Sequence, residues 1–340
     1  MDRRDGTSPS FSGKVADAMR AVSFTQFGPP EVLAWGEAPT PQPQPHQVRI
    51  RTRAASVNPV DAKIRRGELE AIFPTIFPAI PGSDVAGVVD LVGTTITDVA
   101  VGDEIVGLAV SGSYAEHAVL EEYAPRPAGM SWELAASLPV VGEAAVRLIS
   151  QLKLSPGNTL AIFGAAGSVG SLVTQLAVRD GIIVIGIVRN TDLGYAESLG
   201  AIPVRHGDGL LERVREITQG PVSAVLDTTG AGVLPAAVEL TGAPERVITI
   251  ADDRASDYGA RFSVPSRASA AADRAAMQGV SFSGPDTTTM TAHPLQAILD
   301  AQDAKPLLLR VANTYTLASA AQAHRDLEAG AHGKLVLVNQ

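Results

Sequence analysis

Leu160-Ala-Ile-Phe163-Gly164-Ala165-Ala166-Gly167-Ser168-Val169-Gly170 joins a short apolar run directly to a segment whose apolar residues return at helical spacing. Val169, Leu172, Val173, Leu176 and Ala177 fall on one helix face, and Gly181 stands where a C-terminal cap is expected. A strand, a glycine-rich turn and a helix in this order form the phosphate-binding unit of a dinucleotide fold. Gly164 would allow the tight turn, Gly167 the approach of pyrophosphate to the backbone, and Gly170 close packing of helix on strand. The helix N-terminus would then face the phosphates. A glycine-rich link of this kind can also be purely structural, so its context decides.

The next run, Ile182-Ile-Val-Ile-Gly-Ile-Val188, is apolar throughout and bounded by turn formers, which suits a strand buried on both faces of a parallel sheet. At the end of such a strand an acidic residue accepts from the ribose hydroxyl of NAD, whereas a cation accommodates the phosphate of NADP. This chain has Arg189-Asn190-Thr191 there, with no carboxylate before it in the strand. A guanidinium matches phosphate geometry, so Arg189 points to NADPH; the alternative is a solvated residue after a strand.

From about 145 to 280, the runs LAIF, IIVIGIV, AIPV, SAVLDTT and RVITI alternate with helix-patterned segments, which predicts a βαβ array. Asp227-Thr228-Thr229-Gly230 and Thr249-Ile250-Ala251 follow two of these strands. Ligands of open parallel sheets bind outside the carboxyl ends of the strands. The candidate cofactor-binding residues are therefore Gly164, Ala165, Ala166, Gly167, Ser168, Val169, Gly170, Arg189, Asn190, Thr228, Thr229, Ile250 and Ala251. For the two threonines the alternative is a helix cap or a hydroxyl that satisfies its own turn.

Residues 20 to 140 carry short apolar runs broken by Pro and Gly, the spacing of a mostly antiparallel β domain. Near the C-terminus a helical pattern in LASAAQAHRDLEAG precedes the strand-like GKLVLV. That segment is too short to stand alone and is expected to return to the first domain, placing an active site in the crevice between the two. The fold class expected is α/β: a mostly antiparallel β catalytic domain over 19–143 and 290–340, and a doubly wound parallel-sheet domain over 144–289. Residues 1–18 are polar and read as a disordered extension, with Met19 as the start of the fold. Val280-Ser-Phe-Ser-Gly284 reads either as an edge strand that pairs across a dimer or as a terminal strand of the sheet.

The 340 residues exceed one ordinary core, and 45% hydrophobic with 19% charged residues is a globular composition. A net charge of −9 without a basic cluster argues against nucleic acid as a partner. No apolar run approaches the roughly 20 residues that span a bilayer. Without any cysteine there is no disulfide and no thiolate catalysis, which fits a reducing, cytoplasmic setting.

Seven ordered motifs carry a resemblance that covers nearly everything after Met19: VNPVDAKIRRG, PGSDVAGVV, GSYAEHAV, AASLPVVGEAAVRLI, FGAAGSVGSLVTQLA, VLDTTG and AQAHRDLEAGAHGKLVLV. In this order they resemble the zinc-free quinone oxidoreductase branch of the medium-chain dehydrogenase/reductase superfamily, its NADPH-dependent enone and quinone reductases in particular. The resemblance implies a GroES-like catalytic domain, a Rossmann domain and a homodimer. It also marks departures. Gly82-Ser83-Asp84 stands where zinc-dependent relatives carry Gly-His-Glu, and the position of their Cys ligand falls near Val60-Asp61. Asp61, Asp84 and His117 are the donors left for a metal; the reading preferred is no metal, with Asp84 capping a turn and His117 an ordinary strand residue. Ala144 replaces a common Thr beside the nicotinamide, and Lys63 falls near a common Tyr.

Catalysis without a metal would rest on hydride delivery, placement of the acceptor, and hydrogen bonds to the oxygen where charge develops. That suits a small-molecule conjugated carbonyl as substrate: a quinone, enone, enal or enoyl compound. Asn58 can donate from its amide, Lys63 can stabilise an enolate or give a proton, and Asp61 completes the catalytic candidates. Bland alternatives stand beside them: Asn58 as a turn starter before Pro59, Asp61 paired with a cation, Lys63 solvated. Two other functions fit the same letters, a pathway-specific reductase of a large biosynthetic intermediate and a non-catalytic NADPH-binding sensor or scaffold.

Overall fold

The computed structural model describes residues 17–264 and 294–339, in two compact units: one of residues 17–140 with 310–339, the other of 141–264 with 294–309. The expected extension over 1–18 lies outside the described residues as far as 16, and the run Val280 to Gly284 lies outside them entirely. Ala18 already belongs to a strand, one residue before Met19.

In the first unit, β1 (Ala18–Ser23) and β2 (Ala34–Pro39) form an antiparallel pair. The larger sheet contains β3 (Val48–Val57), β4 (Asp84–Val92), β5 (Glu104–Ala109) and β6 (His117–Pro125). β3 pairs antiparallel with both β4 and β6, so these four strands close on themselves and bury Val48, Ile50, Val85, Ile105 and Leu120 inside. In the first half of β3 valine, isoleucine and threonine alternate with three arginines, and the alternation sets which face turns inward. Helix α1 (Pro59–Arg65) follows β3 directly, and the short α2 (Trp132–Ala136) follows β6. From the far end of the chain, β14 (Lys334–Val338) pairs antiparallel with β3, with Leu335 opposite Val57, and β13 (Val311–Thr316) adds alongside it in parallel.

The second unit carries a six-stranded, all-parallel sheet of β7 (Thr159–Phe163), β8 (Ile183–Val188), β9 (Ile202–Arg205), β10 (Ala224–Asp227), β11 (Val247–Thr249) and β12 (Arg261–Phe262). Their order is β12-β11-β10-β7-β8-β9, so the direction of winding reverses between β7 and β10. This is the doubly wound arrangement, and its switch point is where such sheets bind ligands. The continuous apolar strands bury Ala161, Phe163, Ile185, Ile187, Val225 and Val247. Helix α3 (Pro139–Leu152) leads into this unit, and α4 (Ser168–Arg179), α5 (Leu193–Ser198), α6 (Leu210–Thr218) and α7 (Leu234–Thr241) lie between its strands in sequence.

One boundary differs from the sequence expectation. Helix α8 (Pro294–Ala304) belongs to the nucleotide-type unit, not to the β unit. Arg179 at the end of α4 donates to the Ala301 carbonyl, and Gln175 bonds both ways with the Leu308 backbone. Helix α9 (Ala320–Glu328), by contrast, packs within the β unit.

Candidate cofactor turn and buried polar cluster

The turn after β7 has the geometry its glycines suggest. Gly164 has φ +83°, a left-handed conformation that favours glycine. A Cβ on Gly170 would lie 2.1 Å from the Gly164 carbonyl oxygen, so the helix can approach the turn this closely only without a side chain. Gly167 caps α4 with extended backbone and no side-chain hydrogen bond, and a Cβ there would meet only the Gly164 carbonyl oxygen at 3.2 Å. The first amides of α4 follow a glycine N-cap that adds no side chain of its own, and the positive end of the helix macrodipole adds to their pull on an anion. A dinucleotide pyrophosphate fits this cradle.

Of the other candidates in this unit, Ala165 is buried, Ser168 and Val169 are half-buried, and Asn190 is exposed. Arg189 follows β8 with its side chain 51% exposed, and its Nε lies 3.3 Å from the Asp192 carboxylate. Thr228 donates its hydroxyl to the Phe163 carbonyl at 2.9 Å, while Thr229 donates to Asp227 at 2.7 Å. Thr229 thus ties its own loop to Asp227, and Thr228 ties that loop to the end of β7. Ile250 and Ala251 follow β11 and are half-buried. Ala144 is buried in α3, next to Glu143, whose carboxylate receives Arg147 at 2.7 and 3.1 Å.

In the β unit, Asn58 is the N-cap of α1 and is buried together with Asp61. The Asn58 amide is almost fully committed: its nitrogen donates to Asp84 at 2.8 Å and its oxygen accepts from Lys334 at 2.6 Å. Asp84 also receives Lys334 at 3.4 Å and the Val140 amide at 2.8 Å. Sequence reasoning treats Asp84 as a turn cap and misses Lys334, which GKLVLV presents as one more strand residue. Its position follows from the register: with Leu335 opposite Val57, Lys334 arrives beside Asn58. Burial pulls the Lys334 ammonium down and pushes the Asp84 carboxyl up, and their mutual attraction opposes both shifts.

Asp61 accepts from the Asn58 backbone amide at 2.8 Å and from the Tyr114 hydroxyl at 3.2 Å. On its other side Tyr114 meets His324 Nε2 at 3.2 Å, and His324 Nδ1 lies 3.0 Å from Arg65. Arginine can only donate, so Nδ1 is the acceptor and the ring is neutral with its proton on Nε2. Burial and the Arg65 charge hold the His324 pKa down at about 3, in accord with that tautomer. Arg65 is itself fully buried and reaches the Gly28 carbonyl and Glu328.

Burial, reinforced by the nearby Asp84 charge, lifts the Asp61 pKa from 3.8 to about 7. A carboxyl that keeps its proton longer in the folded than in the unfolded chain stabilises fully at acid pH, and that contribution is lost as pH rises through its folded pKa. Between about pH 4 and pH 7 the stability of the wild type relative to Asp61→Asn should therefore fall steadily. Urea unfolding of both proteins across this range checks it, and a constant difference would place the Asp61 pKa near its ordinary value.

Lys63 is half-buried and lines a cleft of about 600 Å³ in this unit, together with Pro29, Arg65, Arg66, Leu327 and Glu328. The structure thus groups Asn58 and Asp61 in one buried cluster and sets Lys63 apart, toward solvent. Zinc does not fit among the described residues. The chain has no thiols, Lys334 sits on Asp84, Tyr114 and Asn58 occupy Asp61, and His117 stands away from both, 3.0 Å from Asp90. No helix among the described residues is long and apolar enough to cross a membrane.

Residues 44–128 match the alcohol dehydrogenase GroES-like domain, and residues 200–337 match the zinc-binding dehydrogenase family. The chain is 38% identical over 183 residues to a 2-methylene-furan-3-one reductase of Solanum lycopersicum, a match that takes in 50% of this chain and 46% of the tomato protein. The chain therefore spans about half the length of that relative. A quinone oxidoreductase structure from Coxiella burnetii superposes with a TM-score of 0.79 at 26% identity, covering 95% of this chain and 100% of that one. A mycobacterial structure complexed with NADPH gives a TM-score of 0.76 at 27% identity, over 94% of this chain and 100% of that one.

Proposed function

The chain belongs to the quinone oxidoreductase and enone reductase branch of the medium-chain dehydrogenase/reductase superfamily, and from that premise we propose that it binds NADPH and reduces a conjugated carbonyl compound. The observation that carries the cofactor reading is the N-terminus of α4 at Gly167, with Arg189 at the end of the adjacent strand. The α4 amides take the pyrophosphate, and the half-exposed Arg189 guanidinium takes the ribose phosphate. A neighbouring fold of known structure that holds NADPH supports this choice.

Bound NADPH supplies the hydride. The acceptor is a quinone, enone, enal or enoyl compound, whose conjugation spreads the arriving charge into an enolate or hydroquinonate. The name of the tomato relative, a methylene-furanone reductase, supports this class. The chain itself must hold the acceptor and meet the charge on its oxygen. Lys63 is the cation suited to that role, since it lies outside the buried cluster and its ammonium makes no hydrogen bond or ion pair among the described residues. Asn58 and Asp61 fix the start of α1 and with it the backbone that carries Lys63.

Lys63→Met should lower turnover by about a hundredfold while NADPH affinity stays unchanged, since a positioned acid or cation contributes on that scale. Steady-state turnover on a panel of quinones and enones, with NADPH titration in parallel, tests this. Undiminished turnover would return Lys63 to the solvated surface.

A further inference from the structure

We infer that Asp227 is the positioning residue of the nucleotide site, a buried carboxyl group that joins the segments closing β10 and β11, to which the neighbouring Thr228 ties the glycine turn after β7; this rests on the NADPH reading above. Asp227 closes β10, between Phe163 of β7 and Thr249 of β11 in register, and is fully buried. Oδ1 accepts from the Thr229 amide at 2.8 Å and the Thr229 hydroxyl at 2.7 Å, Oδ2 from the Thr249 hydroxyl at 2.8 Å, and both from the Gly230 amide at 3.3 Å. Among the described residues no cation hydrogen-bonds this carboxylate. Its partners are two backbone amides and two threonine hydroxyls.

The donors lie at or just past the carboxyl ends of β10 and β11. Thr229 and Gly230 form the loop after β10. Thr249, having donated to Asp227, accepts the Ala251 and Asp252 amides at 3.1 and 3.2 Å and so shapes the loop after β11. The glycine turn after β7 is tied in through Thr228, whose hydroxyl reaches the Phe163 carbonyl at 2.9 Å and the Gly164 carbonyl at 3.4 Å. The loops lie so near one another that a Cβ on Gly164 would stand 2.5 Å from the Thr228 hydroxyl oxygen, and one on Gly230 would stand 2.6 Å from the Ala251 carbonyl oxygen. Close approach without side chains, the Asp227 acceptor shared by the loops after β10 and β11, and the Thr228 hydroxyl on the glycine turn lock the three loops together.

A structural carboxylate in a core would alter stability alone. One that sets the loops of the cofactor site alters affinity as well, and without preference between nucleotides, because the ribose phosphate is read at Arg189. Asp227→Asn keeps the shape but replaces one acceptor oxygen by a donor, leaving buried donors unpaired. NADPH and NADH should both weaken, by about tenfold or more, with their ratio unchanged. Val225→Ala on the same buried strand supplies the comparison: it should lower the melting temperature with nucleotide affinity intact. If Asp227→Asn does not fold, Thr249→Val removes one donor and the relay to the β11 loop, and a smaller loss of both nucleotides is expected.

Isothermal titration of wild type, Asp227→Asn, Thr249→Val and Val225→Ala with each nucleotide decides the matter. NADPH affinity kept within twofold in the folded variants, as in Val225→Ala, would overturn the positioning role of Asp227. Failure of the wild type to bind NADPH would instead overturn the cofactor reading on which it rests.

Discussion

Lys334→Met should destabilise the β unit by about 3–5 kcal/mol at neutral pH, the scale on which an ion loses its only buried partner. The ammonium has 2% of its surface exposed and is the cation that meets Asp84, whose exposure is nil. Methionine fills a similar volume but leaves Asp84 with only the Asn58 and Val140 donors, and strips the Asn58 oxygen of its partner. The penalty carries a pH signature. With Lys334 gone, burial raises the Asp84 pKa further, so the folded variant holds a proton that the unfolded chain releases. The deficit should then shrink on acidification and grow as pH rises. Adding Asp84→Asn should recover much of the loss, because it removes the stranded charge. Urea unfolding of both variants across the pH range checks this, and a penalty below about 1 kcal/mol, typical of a surface pair, would mean that water reaches the cluster.

Arg189→Ala should weaken NADPH by about tenfold and leave NADH nearly unaffected. Hydrogen bonds to a charged group contribute about 1.5–3 kcal/mol, and the lower end applies because the side chain is half exposed and screened. Raising the salt concentration should narrow the gap between the two nucleotides in the wild type but not in the variant. Equal losses for NADPH and NADH would remove the phosphate from Arg189. Together with Asp227→Asn, this variant separates two functions of one site: selectivity at the end of β8, and affinity in the loops around the switch point.

The nucleotide-type unit is legible in the sequence because its signals are local. The glycine spacing, the apolar run of β8 and Arg189 at its end all lie within thirty residues, and each has a physical meaning that needs no distant partner. The polar cluster of the β unit has no such signature. Lys334 and Asn58 are 276 residues apart, and Arg65 and His324 are 259 apart; only the pairing of β14 with β3 and the packing of α9 bring them together. Letters such as VNPVD therefore suggest Asn58 and Asp61 as groups facing a substrate, while the structure buries both beneath a lysine, a tyrosine and a histidine. Sequence position after residue 290 places helix α8 with the β unit, but its contacts with α4 put it with the parallel sheet. Asp227 is visible as part of DTTG, yet its role depends on Thr249 from the neighbouring strand, which the sequence does not align with it.

Hydride transfer from NADPH to a conjugated carbonyl is tested most directly by following the loss of the reduced-nicotinamide absorbance band with the purified chain, offering quinones, short enones and longer enoyl compounds in turn, with NADH as the control. Steady consumption of NADPH with at least one of these acceptor classes, faster than with NADH, is the expected result. NADPH that binds tightly and is consumed with none of them would contradict hydride transfer and leave a nucleotide-binding protein without this chemistry.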